Sequence, residues 1–116
     1  MLDGAARRTW MFQVNTSTWI VVPTKNIPGL RRYSAIASMG KGNVLMFGGF
    51  DDDRKKILGD TWQFELNTHD WTQITVSIST PTPRSSHAMA SLGSGKVLMF
   101  GGTDGYRILD TTLIFN

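Results

Sequence analysis

Most of this chain is written twice. Sliding the sequence against itself by about 53 positions aligns Pro28–Arg54 with Pro81–Arg107 without a gap. The matched pairs include Pro28/Pro81, Arg31/Arg84, Ala35/Ala88, Ala37/Ala90, Gly40/Gly93 and Gly42/Gly95. An unbroken block follows, Val44-Leu45-Met46-Phe47-Gly48-Gly49 against Val97-Leu98-Met99-Phe100-Gly101-Gly102, and then Asp51/Asp104 and Arg54/Arg107. A second correspondence covers the rest of the unit. Thr9–Thr16 aligns with Thr61–Thr68, Trp19 falls on Trp71, and Asp110-Thr111 pairs with Asp60-Thr61, which sets Thr112 opposite Trp62. A repeat of this length signals an architecture of stacked units, each unable to bury its apolar faces alone. The chain divides into the back half of one unit at 1–22, one whole unit at 28–76, and three-quarters of another at 81–116.

Within a unit the pattern is that of four short strands. The first is small and moderately apolar, Ser34–Met39 or His87–Leu92. A glycine-rich turn follows, 40–43 or 93–96, where glycine supplies the positive φ of a tight hairpin. The second strand, Val-Leu-Met-Phe, is apolar at every position and predicts burial on both faces. In the third, Trp62, Phe64 and Leu66 alternate with Thr61, Gln63 and Glu65, the period of a half-buried strand. The fourth starts at Trp71 and is more polar. A lone four-stranded meander cannot bury both faces of its second strand. Face-to-face stacking of such sheets around an axis can, and that arrangement is an all-β propeller.

The residues at this point resemble a kelch-type β-propeller. The marks are Pro-Arg-Ser-Ser-His at 83–87, the doublets Gly48-Gly49 and Gly101-Gly102, and Asp60-Thr61-Trp62 with Trp71 beyond. Two departures are visible: Thr112 stands where the pattern expects an aromatic, and the last unit has no fourth strand. A propeller of four to eight blades at roughly 50 residues each needs about 200 to 400 residues. The 116 residues here therefore predict either a piece of a longer protein, completed by further blades of that chain, or head-to-tail self-association into a ring.

Composition narrows function by exclusion. The absence of cysteine removes disulfides, zinc–thiolate sites and a cysteine nucleophile. A formal charge of +3 is far below the density that nucleic-acid arms or polybasic membrane segments require. No apolar run is long enough to span a bilayer, and Met1-Leu2-Asp3-Gly4 does not open a signal peptide, so the expected setting is cytoplasmic, without nucleic-acid or membrane partners.

No catalytic, cofactor or metal residues are predicted. Gly95-Lys96 resembles the tail of a phosphate loop, but Ala90 occupies the first glycine position and a strand follows where a helix is required. His69 and His87 occupy different repeat positions; the first is expected in solvent, the second as a hydrogen-bonded core residue. Asp51-Asp52-Asp53 precedes a basic run and predicts a solvated hairpin tip. The four tryptophans recur at matching places, which favours packing between sheets over ligand stacking. The resemblance implies the same by contrast: kelch copper oxidases need a cysteine crosslinked to tyrosine, and kelch specifier proteins need an iron site of spaced acidic and histidine residues.

Up-and-down connectivity gathers residues 23–33, 50–58, 79–87 and 103–109 at one end of the sheets, with most of the basic residues. Loops on a rigid scaffold are where binding surfaces usually lie. The resemblance implies protein binding through such a face, sometimes by arginines placed like Arg31 and Arg84. The expected partner-binding residues are Arg31, Arg32, Tyr33, Arg54, Arg84, Ser86, Tyr106 and Arg107, and the expected ligand is a protein or peptide with some acidic character. An arginine beside a proline turn also has a purely structural use, tying loop carbonyls together. The expected function is a non-catalytic protein-interaction module. Its rivals are part of a kelch-fold enzyme whose catalytic residues lie in other blades, and a truncated product with no function of its own.

Overall fold

A computed structural model describes residues 7–76 and 80–116; residues 1–6 of the first repeat unit and 77–79 of the second linker lie outside the described residues. Among the described residues nine strands form three antiparallel sheets. The first sheet pairs β1 (Thr9–Gln13) with β2 (Thr18–Val22). The second orders β3 (Ala35–Gly40), β4 (Asn43–Asp51), β5 (Lys56–Glu65) and β6 (Asp70–Ile74). The third orders β7 (Ala88–Gly93), β8 (Lys96–Phe100) and β9 (Thr112–Phe115). Among the described residues no helix is long and apolar enough to cross a membrane.

The glycine-rich turns act as their composition dictates. Gly40 pairs with Asn43, which leaves Lys41-Gly42 as a two-residue loop with φ of 56° and 79°. Ser94-Gly95 repeats it with 53° and 77°. Two positive values in a row match the right-handed twist of the flanking strands.

Burial divides between two seams. One joins the first and second sheets through Val22, Met46, Phe64 and Trp71; the other joins the second and third through Ala37, Leu45 and Val97. Alternation along β4 sends Met46 into one seam and Leu45 into the other, which is why that strand is apolar throughout. Trp71 lies in the first seam and its indole Nε1 donates to Thr9 Oγ1 at 3.1 Å. A cleft of about 300 Å³ remains in the second seam, between Leu45 and Phe47 on one side and Val97, Met99, Leu113 and Phe115 on the other.

The strand register corrects the alignment of the third unit. Phe47 faces Thr61 across the β4–β5 ladder, and Phe100 faces Thr112 across β8–β9. Thr112 is thus the counterpart of Thr61, Thr111 of Asp60, Leu113 of Trp62 and Phe115 of Phe64. The Asp110-Thr111 identity is off by one position. A one-residue slip moves every side chain to the other face, and only this register puts Leu113 and Phe115 on the face that carries Val97 and Met99.

Candidate interaction face

The loops at one end of the sheets are stitched together by main-chain bonds. Arg32 and Phe50 exchange both of theirs, at 3.0 and 2.7 Å, and Ser85 and Thr103 repeat the exchange at 3.0 and 2.9 Å. Three further bonds cross from the third sheet's entry loop to the second sheet. Gly49 N donates to Arg84 O (2.9 Å), Arg84 N to Leu58 O (3.1 Å), and Ser86 N to Tyr33 O (2.8 Å). The glycine doublet makes this docking possible. A β-carbon on Gly48 would overlap the carbonyl oxygen of Arg84 in the neighbouring loop, and one on Gly49 would lie 2.9 Å from the Arg32 carbonyl of its own sheet. Each glycine therefore serves a different neighbour.

Of the eight residues expected to bind a partner, two point inward. The Arg31 guanidinium grips Asp60 with two parallel bonds, 2.6 Å to Oδ1 and 2.9 Å to Oδ2, and also reaches Gly29 O and Gly48 O. Arg84 is only 2% exposed and donates to Thr82 O, Gly101 O and Thr111 Oγ1, each at 3.1 Å. Both side chains tie loop carbonyls from beneath the face. Burial works against the Asp60 charge, but the bonds from Arg31 and from Trp62 Nε1 outweigh it and hold the carboxyl below the usual carboxylate range. Burial pushes the Arg84 pKa down, partly offset by the negative charge of Asp104.

The other six, Arg32, Tyr33, Arg54, Ser86, Tyr106 and Arg107, are exposed on the surface. Arg32 pairs with Asp52 at 2.6 Å, which raises its pKa, and its guanidinium carbon sits 5.4 Å from the Tyr33 ring centroid. Arg54 and Arg107 are held by one repeated device. Asp51 Oδ1 accepts from the main chain of Asp53 and Arg54 while Oδ2 accepts from the Arg54 guanidinium; Asp104 does the same for Tyr106 and Arg107. These main-chain donors, Arg54 N first for Asp51 and Tyr106 N first for Asp104, lower both carboxyl pKa values. Asp51 is therefore a buried turn residue and not part of a solvated tip, whereas Asp53 is exposed.

Two apolar residues on this face carry no mark in the sequence pattern. Leu30 and Ile108 are exposed beside Arg31 and Arg107. Their signal is an aliphatic residue in a loop, outside any strand period. Lys25, grouped with this end by connectivity, lies elsewhere: its main chain bonds His69 O and Trp71 N, beside the β5–β6 turn. Twist accumulating across a sheet carries the outermost strand away from the direction of the innermost, so connectivity alone misplaces the loop that leaves the outermost strand.

His87 is in the core as expected but not hydrogen-bonded: among the described residues both buried ring nitrogens find no partner. Its ring meets Phe47 edge-on at 5.7 Å between centroids. Burial lowers its pKa; the nearby Phe47 main chain opposes the shift, and the positive charge of Arg84 adds to it. Among the described residues no three His, Asp or Glu side chains gather in a metal-binding group.

Twisted antiparallel meanders packed face to face, the third keyed into the second by an arginine loop and a glycine doublet, define a segment of a β-propeller. Residues 3–116 match the family model described as the KLHDC2/KLHL20/DRC7 Kelch-repeats domain, and the chain belongs to the kelch-repeat family. It is 33% identical over 91 residues to acyl-CoA-binding domain-containing protein 6 of Oryza sativa subsp. japonica, covering 78% of this chain and 14% of that protein. It is 30% identical over 98 residues to kelch domain-containing protein 3 of Rattus norvegicus, covering 83% and 25%. Adagio protein 3 of Arabidopsis thaliana is 28% identical over 105 residues, covering 82% and 17%. The chain thus spans a quarter or less of these relatives' length.

Proposed function

We propose that this chain is a non-catalytic protein-interaction module that holds a peptide or loop of another protein against the face built by residues 29–33, 51–54 and 103–108. The observation that carries this reading is the contrast between the two kinds of arginine there. Buried Arg31 and Arg84 fix the loops, and fixed loops present Arg32, Tyr33, Tyr106 and Arg107 at little entropic cost on binding. Arginine and tyrosine are the side chains that most often dominate interface energetics. Leu30 and Ile108 supply apolar area between them. Asp51, Asp52 and Asp104 already neutralise part of the positive charge, so a partner of mixed character with an acidic residue fits better than a polyanion.

Selection of a displayed peptide library on the chain tests this. Binders should lose about tenfold in affinity, roughly 1.4 kcal/mol, with Arg32→Ala, Tyr33→Ala or Arg107→Ala. Selected peptides that bind all three variants as tightly as the parent chain overturn the assignment of the face.

A further inference from the structure

The entry loops of the second and third sheets share one main-chain path and carry different side chains. Tyr33 and Ser34 run between two cross-strand pairings, Arg32 with Phe50 and Ala35 with Phe47. Ser86 and His87 run between the matching pairings, Ser85 with Thr103 and Ala88 with Phe100. The stretches facing them are the glycine doublets 48–49 and 101–102, left-handed at all four residues. The residue after each first pairing is left-handed too, with φ of 62° at Tyr33 and 61° at Ser86. Equal angles under unlike side chains mean that the backbone path imposes the conformation. Glycine adopts it without strain, whereas a bulky side chain is poorly suited to it. The fold gains little in return from the tyrosine ring. Tyr33 is 55% exposed and belongs to neither buried seam, and its bond to the next loop, from Ser86 N to Tyr33 O, uses main chain alone.

The residues that fix these loops repeat: Arg31 with Arg84, Asp51 with Asp104, Arg54 with Arg107. Arg32, Tyr33 and Asp52 do not; the third sheet has Ser85, Ser86 and Gly105 in their places. The three that change together also touch one another. Arg32 pairs with Asp52 at 2.6 Å, and its guanidinium carbon lies 5.4 Å from the centre of the Tyr33 ring. Strain that persists at an exposed, well-supported position points to function. We infer, building on the interaction reading above, that Tyr33 determines the specificity of this face: its ring receives an aromatic side chain of the partner, and the strained backbone is kept for that contact. Arg32 has its carboxylate in Asp52, so what Tyr33 adds is flat apolar area with a defined direction. Paired rings contribute binding energy beyond the area they bury, and their preferred geometries make them selective. Ser86 holds the same backbone angle and offers no such platform.

The probes are peptides selected from a displayed library on the 116-residue chain, and the readouts are affinity and melting temperature. Peptides selected on the parent chain should carry an aromatic residue at one fixed position, and selection on Tyr33→Ser should lose that preference. Tyr33→Ser copies the third sheet, keeps the left-handed angle and should weaken binding roughly tenfold. Tyr33→Gly should weaken it as much, yet melt about 2–4 °C above Tyr33→Ser because the strain is gone. Tyr33→Phe keeps the ring and should stay within about threefold of the parent affinity. A glycine variant that melts below the serine variant overturns the strain, and an unchanged peptide preference on Tyr33→Ser overturns the ring contact. If the Tyr33 variants bind like the parent while Arg32→Ala and Arg107→Ala lose affinity, the interaction face stands and this inference falls. If Arg32→Ala and Arg107→Ala also bind like the parent, the face itself falls.

Discussion

Arg31 and Arg84 hold the same place in two sheets and meet different partners. Arg31 finds the carboxylate of Asp60 in a two-bonded fork, and Asp60 also holds the Trp62 indole. Arg84 is the more deeply buried, yet its position facing Asp60's counterpart offers only the Thr111 hydroxyl and two carbonyls. A buried guanidinium without a contacting counter-ion is tolerated when oxygens occupy its donors, but it is the costlier arrangement. The glycine doublets differ in parallel. Gly48 makes room for the Arg84 carbonyl of the next loop, while Gly101, with φ of 78°, has only Leu109 O within reach of a β-carbon, at 3.7 Å. Equal sequence at repeated positions therefore does not mean equal energetic importance; the neighbour decides.

Four experiments can break or sharpen that contrast. The largest effect is expected at the doublets. Gly48→Ala combines left-handed strain with a backbone overlap and should cost about 3–5 kcal/mol, whereas Gly101→Ala carries only the strain, about 1–2 kcal/mol. Equal losses in urea melts would refute the keyed seam. Next, Arg84→Met should remove about 2–4 kcal/mol by stranding buried carbonyls, and Arg31→Met should leave Asp60 without its counter-charge and soften the acid side of the stability profile. The Asp60 carboxyl is depressed in the folded state. Its contribution is therefore present above the ordinary carboxylate value of about 4 and fades as the pH falls through the lower folded value.

His87 gives a pH test of the same seam. Its folded pKa lies below the ordinary histidine value of about 6.5, so the unfolded chain binds more protons between the two values. Stability should be complete above that ordinary value and decline as the pH drops through the lower folded one. His87→Leu should flatten the melting temperature over this range; a slope that survives the substitution would locate the proton elsewhere. The smallest effect is a gain. Thr111→Asp copies Asp60 into the third sheet and should stabilise by about 1 kcal/mol if Arg84 accepts the fork. A loss would mean that burying the carboxylate outweighs pairing it.

Much of the architecture was legible because it rests on period and repetition. The unbroken apolar run 44–47 announced burial on two faces, and Gly40–Gly42 announced the mirrored turn. The face was legible only in part. Sequence matched Arg31 to Arg84 and offered two uses for them, partner contact or tying loop carbonyls, without choosing between the two, since an arginine's direction depends on which carbonyls converge under it. Leu30 and Ile108 were missed for a related reason: outside a strand, an aliphatic residue has no period from which its burial can be inferred.

By itself the sequence determined that this chain makes repeated, twisted meanders needing neighbours, because glycine turns and residue alternation act locally. Tertiary structure alone decided the register of β9, the inward aim of two arginines and the partnerless ring of His87. Those outcomes depend on contacts between residues far apart in the chain, where packing overrides local identity.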